Sequence, residues 1–319
     1  MKGLQHIEVR NNKSVFKLDL DTNISIIKGE SATGKTTLVD MISQYSRYGA
    51  DSGITLISDK KCVVLDKLNW QQDIKNTADS IVFIDEGNDF VKTKEFAAAI
   101  KNTDNYYVII TRENLFELPV NIDAIYGIRG RRYFSLKRTY NSLYRIYPDK
   151  AIYTKPDIII TEDSGAGYEF FKAIFDKKGC ECISSNGNSG ILNKIRVYEN
   201  ERILIIADGA AFGAYMEMLS DYAKRKNSSI SAYLPESFEW IILSSGLIKD
   251  SEIDDILKAP YEYIDSRDFF SREQYYTALL IQKTKDTYLS YNKRKLNISY
   301  LQDKEKGAII KVMPEQMFE

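Results

Sequence analysis

The segment Gly29-Glu30-Ser31-Ala32-Thr33-Gly34-Lys35-Thr36 constrains the fold of this chain more than any other, because of what flanks it. Ile24-Ser25-Ile26-Ile27 before it reads as a short buried strand. After it, Leu38, Met41 and Ile42 share one side of a helix expected from about Lys35 to Tyr45. A glycine-rich turn between strand and helix points backbone N–H groups and the positive helix end at one place. Gly29 and Gly34 permit close backbone approach, and a lysine and a threonine open the helix, so that place suits a polyphosphate. The expected ligand is ATP with Mg2+, held by Gly29, Glu30, Ser31, Ala32, Thr33, Gly34, Lys35, Thr36 and Thr37. Lys35 would reach the β- and γ-phosphates, and the Thr36 hydroxyl would ligate Mg2+. An ordinary glycine-rich strand-to-helix turn is the bland alternative.

The neighbouring sequence supplies a sheet for that turn. Leu4–Val9 and Val15–Leu20 alternate apolar and polar residues about Asn11-Asn12, the pattern of a hairpin. Cys62–Leu65, Ser80–Ile84 and Tyr107–Ile110 are apolar runs separated by helical stretches near 68–79 and 91–102, which implies a parallel sheet. Ala124–Ile128 and the Tyr133–Tyr147 stretch read as further strands. Asp85-Glu86 ends one apolar run at the sheet edge where ligands bind. Asp85 is expected to hold Mg2+ through its hydration shell, and Glu86 to orient or activate the attacking water as the catalytic carboxylate, beside Lys35. The same pattern also describes a plain strand-to-turn transition. Thr111 or Arg112, ending a third run, could sense the γ-phosphate or sit on a solvated strand end. Arg129, Arg131, Arg132, Lys137 and Arg138 form a basic run. It could supply a finger in trans, contact a nucleic-acid backbone, or be a solvated face.

Composition narrows the chemistry. With 319 residues, 44% hydrophobic and 28% charged, the chain belongs with globular proteins and is long enough for two domains. No run approaches the roughly 18 to 20 apolar residues of a membrane span, and a cytoplasmic location is expected. Cys62, Cys180 and Cys182 lack Cys-x-x-Cys spacing and read as reduced thiols. The single histidine, His6, leaves Ser-His-Asp chemistry without its parts, so catalysis would run on carboxylates, lysine, hydroxyls and metal. Residues 1–150 carry 22 basic and 19 acidic side chains, and residues 151–319 carry 22 and 26, unlike a strongly basic nucleic-acid module.

Residues 4–112 resemble the P-loop ATPase superfamily, and the hairpin before the loop is similar to its transporter and chromosome-maintenance branch. Only 43 residues, 37 through 79, separate Thr36 from Ser80, and they contain no Leu-Ser-Gly-Gly-like signature, a departure from the sandwich dimer of that branch. After a break at Tyr147-Pro148 and Lys155-Pro156, a second alternation begins: strand Asp157–Thr161, helix 167–177, strand Cys180–Ser184, strand Arg202–Ala207, helix 212–225. Acids end two of these strands, Glu162-Asp163 and Asp208, with a Ser184–Asn188 turn between. That order, with Pro235–Trp240, resembles the Toprim domain of topoisomerases, primases and overcoming-lysogenisation-defect nucleases over about residues 157–245. The resemblance implies Glu162 as general acid/base or metal ligand and Asp208 as the first acid of an Asp-x-Asp pair, the two sharing Mg2+. The second acid position is Ala210, with Asp163, Glu236 or Glu239 available to compensate.

The expected architecture is therefore α/β: a P-loop ATPase domain over 1–147, a Toprim-like domain over 157–246, and a helical carboxy-terminal cap or oligomer contact over 247–319. The expected activity is an ATP-driven switch acting on nucleic acid or a protein partner, in a prokaryotic mobile-element or phage-defence setting. An ATP-gated nuclease, and a non-cleaving assembly or sensor subunit, are the alternatives. A homo-oligomer is expected, and a membrane partner is not.

Overall fold

The computed structural model describes residues 1–29, 33–65, 67–132, 138–147, 155–226 and 230–318, with the side chains of 225 and 226 left aside. Glu30, Ser31, Ala32 and Lys137 thus lie outside the described residues. The chain divides into two compact units, Met1–Pro148 with Ala259–Ser271, and Asp149–Lys258 with Arg272–Glu319. The carboxy-terminal stretch from 247 onward is accordingly not one cap. Residues 259–271 belong to the first unit and the remainder to the second.

Unit one is built on nine strands: β1 Gln5–Arg10, β2 Ser14–Leu20, β3 Ile24–Ile27, β4 Thr55–Ser58, β5 Lys61–Val64, β6 Ser80–Ile84, β7 Tyr106–Ile110, β8 Ile125–Arg132 and β9 Thr139–Arg145. Their order is β4-β1-β2-β9-β8-β3-β7-β6-β5. The sheet is mixed rather than purely parallel. β5, β6, β7, β3 and β8 run parallel, whereas β1 pairs antiparallel with β2 and β4, and β9 with β8. The central strands are apolar throughout because both faces are covered. Ile81 and Phe83 pack with Leu38, Met41 and Ile42 of α1 (Lys35–Tyr48) on one face. Val82 and Ile84 pack on the other with Ile74 of α2 (Trp70–Asn76) and Phe96 and Ile100 of α3 (Lys94–Ile100). The amino-terminal hairpin turns on Asn11, whose Oδ1 accepts the N–H groups of Lys13 and Ser14 at 2.8 Å. Residues 259–271 are tied to this unit by Gly3 N–H to Tyr261 O at 2.6 Å, Asn23 Nδ2 to Phe270 O at 3.1 Å and Ser266 Oγ to Thr103 O at 3.1 Å.

Unit two has a four-stranded parallel sheet, β11-β10-β12-β13, formed by β10 Ile158–Thr161, β11 Glu181–Ser184, β12 Ile203–Ile206 and β13 Ile230–Tyr233. Helices α4 (Ala166–Phe175), α5 (Asn188–Val197) and α6 (Met216–Lys226) provide the crossovers that parallel pairing requires. The sequence reading omitted β4, β13 and α5. Four further helices follow: α7 Phe238–Ser244, α8 Ser251–Lys258, α9 Arg272–Thr284 and α10 Asp303–Ile310. Among the described residues no helix is long and apolar enough to cross a membrane.

Gly165, at the start of α4, is pressed against the backbone at Lys293. Ala166 N–H donates to Lys293 O at 2.9 Å, and a Cβ on Gly165 would collide with that same oxygen. Gly165→Ala should therefore displace the loop and cost on the order of 1–3 kcal/mol. Thermal denaturation checks this, and an unchanged Tm would show that the loop yields freely.

Candidate nucleotide site and carboxylate centre

In unit one the parallel register brings three strand ends together. Ile27 of β3 pairs with Ile110 of β7, and Ile109 of β7 with Ile84 of β6. Lys28-Gly29, Thr111-Arg112 and Asp85-Glu86 therefore leave the sheet along one edge, with the 111–112 turn between the other two. α1 starts at Gly34, whose left-handed φ of 90° suits glycine, with no side-chain cap and no acidic residue in its first turn. A glycine at the N-cap offers no side-chain oxygen to compete with an anion at this helix end. The Lys35 side chain lies back along the loop, 5% exposed, with Nζ donating to Gly29 O at 2.7 Å and Thr33 Oγ1 at 3.2 Å. Thr36 and Thr37 are exposed beside it. The Phe16 ring of β2 lies 3.3 Å from where a Cβ on Gly34 would sit, a tight contact that adds to the constraint set by its φ.

The Asp85 carboxyl is pushed above its ordinary value by burial and by its neighbours Asp40 and Glu86, while its bond from the Glu86 N–H at 2.8 Å and the Lys35 charge oppose the shift. Such a carboxylate gains from a cation, and the Thr36 hydroxyl and the carboxylates of Asp85 and Asp40 are the hard oxygen donors that Mg2+ takes. Asp40 was not singled out from the sequence. Its signal was its position four residues after Thr36, one helical turn on. Glu86 Oε1 pairs with Arg112 Nε at 2.6 Å, both side chains partly exposed. Thr111 is buried, and its Oγ1 accepts the Glu113 N–H at 3.0 Å.

Three members of the basic run lie on the distal half of β8, which continues past Tyr126, the residue paired with the last residue of β3, and Arg138 directly precedes β9. Arg129, Arg131 and Arg132 are exposed there, with the Arg129 guanidinium 4.8 Å from the centre of the Tyr144 ring. A separate groove of about 650 Å3 between α2 and α3 is reached from Thr77 and Asp104, which precede β6 and β7, so it opens on the opposite edge of the sheet.

In unit two the ends of β10 and β12 bring Glu162 and Asp208 together, with the Asp208 N–H donating to Glu162 Oε2 at 3.3 Å. Gly209 N–H donates to Pro235 O at 2.6 Å and Ala210 N–H to Glu236 O at 3.2 Å, which clamps the Asp208 turn against the segment entering α7. Around the pair stand Glu239 of α7, Glu273 of α9 and Lys293. The Lys293 ammonium pairs with Glu273 and lies 3.7 Å from Glu239 Oε1, which also accepts the Tyr291 hydroxyl at 2.9 Å. Burial works against the Lys293 charge, but Glu239, Glu273 and Asp208 hold it protonated well beyond the ordinary lysine range. Lys293, Glu273 and Tyr291 carry no local motif, and no spacing in the chain points to them.

The three acids expected to compensate for Ala210 are otherwise engaged. Asp163 accepts the N–H groups of Gly165 and Gly167 at 2.8 Å, Glu236 pairs with Arg272 at 2.6 Å, and Glu239 is held as described. Among the described residues no three His, Cys, Asp or Glu side chains gather in an arrangement that could hold a metal.

Burial, with smaller contributions from Glu273 and Asp163, raises the Glu162 carboxyl from 4.5 to about 7, against the Asp208 N–H and Lys293, which lower it. Asp208 is raised well above its ordinary value by burial, then by Glu273, Glu162 and Glu239. A folded-state value above the unfolded one means that the folded chain holds the extra proton between about pH 4.5 and 7. Stability is then greatest below pH 4.5 as far as this group is concerned, and falls as pH rises through 7. Glu162→Gln should flatten that decline, so the Tm difference between pH 5.5 and pH 8 shrinks by several degrees relative to the parent. Equal pH slopes for the two proteins would exclude a buried, protonated Glu162.

No protein-family model matches the chain, and the search of curated proteins returns no match. The geometry of the two sites is what supports a functional reading.

Proposed function

We propose that unit one binds and hydrolyses ATP, and that the nucleotide state switches a Toprim-like unit two that acts on nucleic acid or a protein partner. The supporting observation is the edge of the first sheet. Gly34 at the head of the 14-residue α1, an almost fully buried Lys35, and Asp85 and Glu86 two strands away stand along that edge. Thr36 and Asp85 would hold Mg2+, whose role when bound is to neutralise the phosphate oxygens. Lys35 and the α1 amides bind and orient the phosphates, and Glu86 orients the attacking water and receives its proton. The ATPase resemblance of residues 4–112 agrees with this assignment, and a prokaryotic defence or mobile-element setting is part of the same proposal.

Chain continuity offers a route from one unit to the other. Residues 259–271 are bound to unit one and continue without a break into Arg272 and Glu273, whose side chains pair with Glu236 and Lys293 in unit two. Between the two alternatives, Ala210 and the engaged state of Asp163, Glu236 and Glu239 favour a non-cleaving assembly or sensor role over an ATP-gated nuclease. Calorimetry with ATP and Mg2+, followed by phosphate release with and without DNA or RNA, tests the proposal. Uptake and turnover stimulated by a polynucleotide that stays intact supports the switch, nicking supports the nuclease, and no uptake removes the reading altogether.

A further inference from the structure

The Toprim likeness implies a divalent ion shared by Glu162 and Asp208, and the residues present do not fit one. The space beside the pair is about 20 Å3, room for a single water; its wall includes the apolar Phe171, Phe238, Ile206 and Ile241, and the one further acid on it, Asp163, already accepts the Gly165 and Gly167 N–H groups with its two oxygens. Mg2+ asks for six oxygen ligands in near-octahedral geometry and gives up its waters reluctantly. One buried oxygen, Glu239 Oε2, has no hydrogen-bond partner among the described residues, and a single spare donor does not make such a shell. A cation is already present in the cluster: the half-buried Lys293 ammonium contacts Glu273 and Glu239. Its position is fixed from both sides of the residue. Lys293 O accepts the Ala166 N–H at 2.9 Å, and two residues earlier the Tyr291 hydroxyl donates to Glu239.

We propose that Lys293 is the resident cation of this carboxylate centre and takes the place of the divalent metal, so that unit two is held together by an internal ammonium and binds no Mg2+ or Mn2+ at Glu162 and Asp208. A flexible lysine tethered to the chain costs no metal supply and cannot be removed by a chelator, but it provides no metal-bound water and cannot clamp two reacting oxygens. The centre is then a structural and positioning device. It ties α7, α9 and the 285–297 loop to the strand ends, and it is independent of whether unit one binds ATP.

The test uses the full chain without nucleotide. Mn2+ uptake is followed by electron paramagnetic resonance for the parent, Glu162→Gln and Asp208→Asn, and Tm is followed for the parent, Lys293→Arg and Lys293→Met. Uptake should be the same in all three proteins of the first set, whatever its size. In the second set, Lys293→Arg should stay within a few degrees of the parent, and Lys293→Met should melt lower by on the order of 5 °C or more. Excess Mn2+ should recover part of the loss in Lys293→Met and leave the parent unchanged. Sub-millimolar uptake by the parent that disappears in Glu162→Gln would overturn the proposal, as would a Lys293→Met protein that melts like the parent. Should Lys293→Met fail to fold, the comparison of parent with Glu162→Gln decides the question without it.

Discussion

Lys35→Ala is expected to weaken ATP binding about 100-fold or more, and to reduce turnover to the background of the assay. In the ligand-free chain the ammonium rests on Gly29 O and Thr33 Oγ1, 5% exposed and inside the loop that would receive phosphate. When a polyphosphate enters, those neutral contacts are exchanged for charged ones. A hydrogen bond to a charged group is worth about 1.5–3 kcal/mol, and each 1.4 kcal/mol is tenfold in affinity. The loss in turnover should exceed the loss in affinity, because negative charge on the leaving phosphate oxygens grows in the transition state and an absent cation is felt most there. Folding should be little affected, since the core contacts of α1 are made by Leu38, Val39, Met41 and Ile42. Calorimetry and phosphate release on the variant, with circular dichroism as the folding control, supply the measurements. Binding within threefold of the parent would mean that the loop is an ordinary turn.

Much of unit one was legible because both signals there are local. Apolar runs such as Ser80–Ile84 and Tyr106–Ile110 are buried on both faces, so hydrophobicity alone marks them as strands. The loop motif then singles out the strand end at which the phosphate site is proposed. The hairpin was legible, but not how it joins the parallel strands, because β9 inserts between β2 and β8 by a parallel pairing that joins residues more than a hundred positions apart, Ser14 to Thr139 among them. β4 has only four residues, none of them buried, and leaves almost no periodic trace.

In unit two the strand-end acids Glu162 and Asp208 could be read from sequence, but what they face could not. Glu273 and Lys293 reach the centre from a helix and a loop that lie 65 and more positions after Asp208, in a stretch whose composition reads only as charged and tyrosine-rich. A lysine among acids is sequence-silent. It matters here because Glu239 is almost fully buried and needs a counter-charge. The return of residues 259–271 to unit one escaped for a related reason: its attachments run largely through backbone atoms such as Tyr261 O and Phe270 O, which any residue type can offer.

Glu86→Gln should leave ATP affinity within a few-fold of the parent and reduce turnover by about 100-fold to 10,000-fold, the usual contribution of a positioned general base. The amide keeps the size and the hydrogen-bonding oxygen of the carboxylate but can neither take the proton of the attacking water nor hold Arg112 by charge. Arg112 is the informative partner. Its Nε lies 2.6 Å from Glu86 Oε1, and with side chains 55% and 37% exposed the pair adds little to stability, at most about 1 kcal/mol. A contact so weak for folding, on two adjacent strand ends, has its main consequence in where it aims the carboxylate. Arg112→Ala should therefore keep the parent Tm and lower turnover about tenfold, less than Glu86→Gln, as expected for a positioning residue. If Arg112 works through Glu86, the two losses do not multiply: the double variant should turn over no more slowly than Glu86→Gln alone. A double variant whose loss equals the product of the single losses would show that Arg112 acts on the phosphates by itself, and an Arg112→Ala protein with parent turnover would show that the ion pair is only a surface contact.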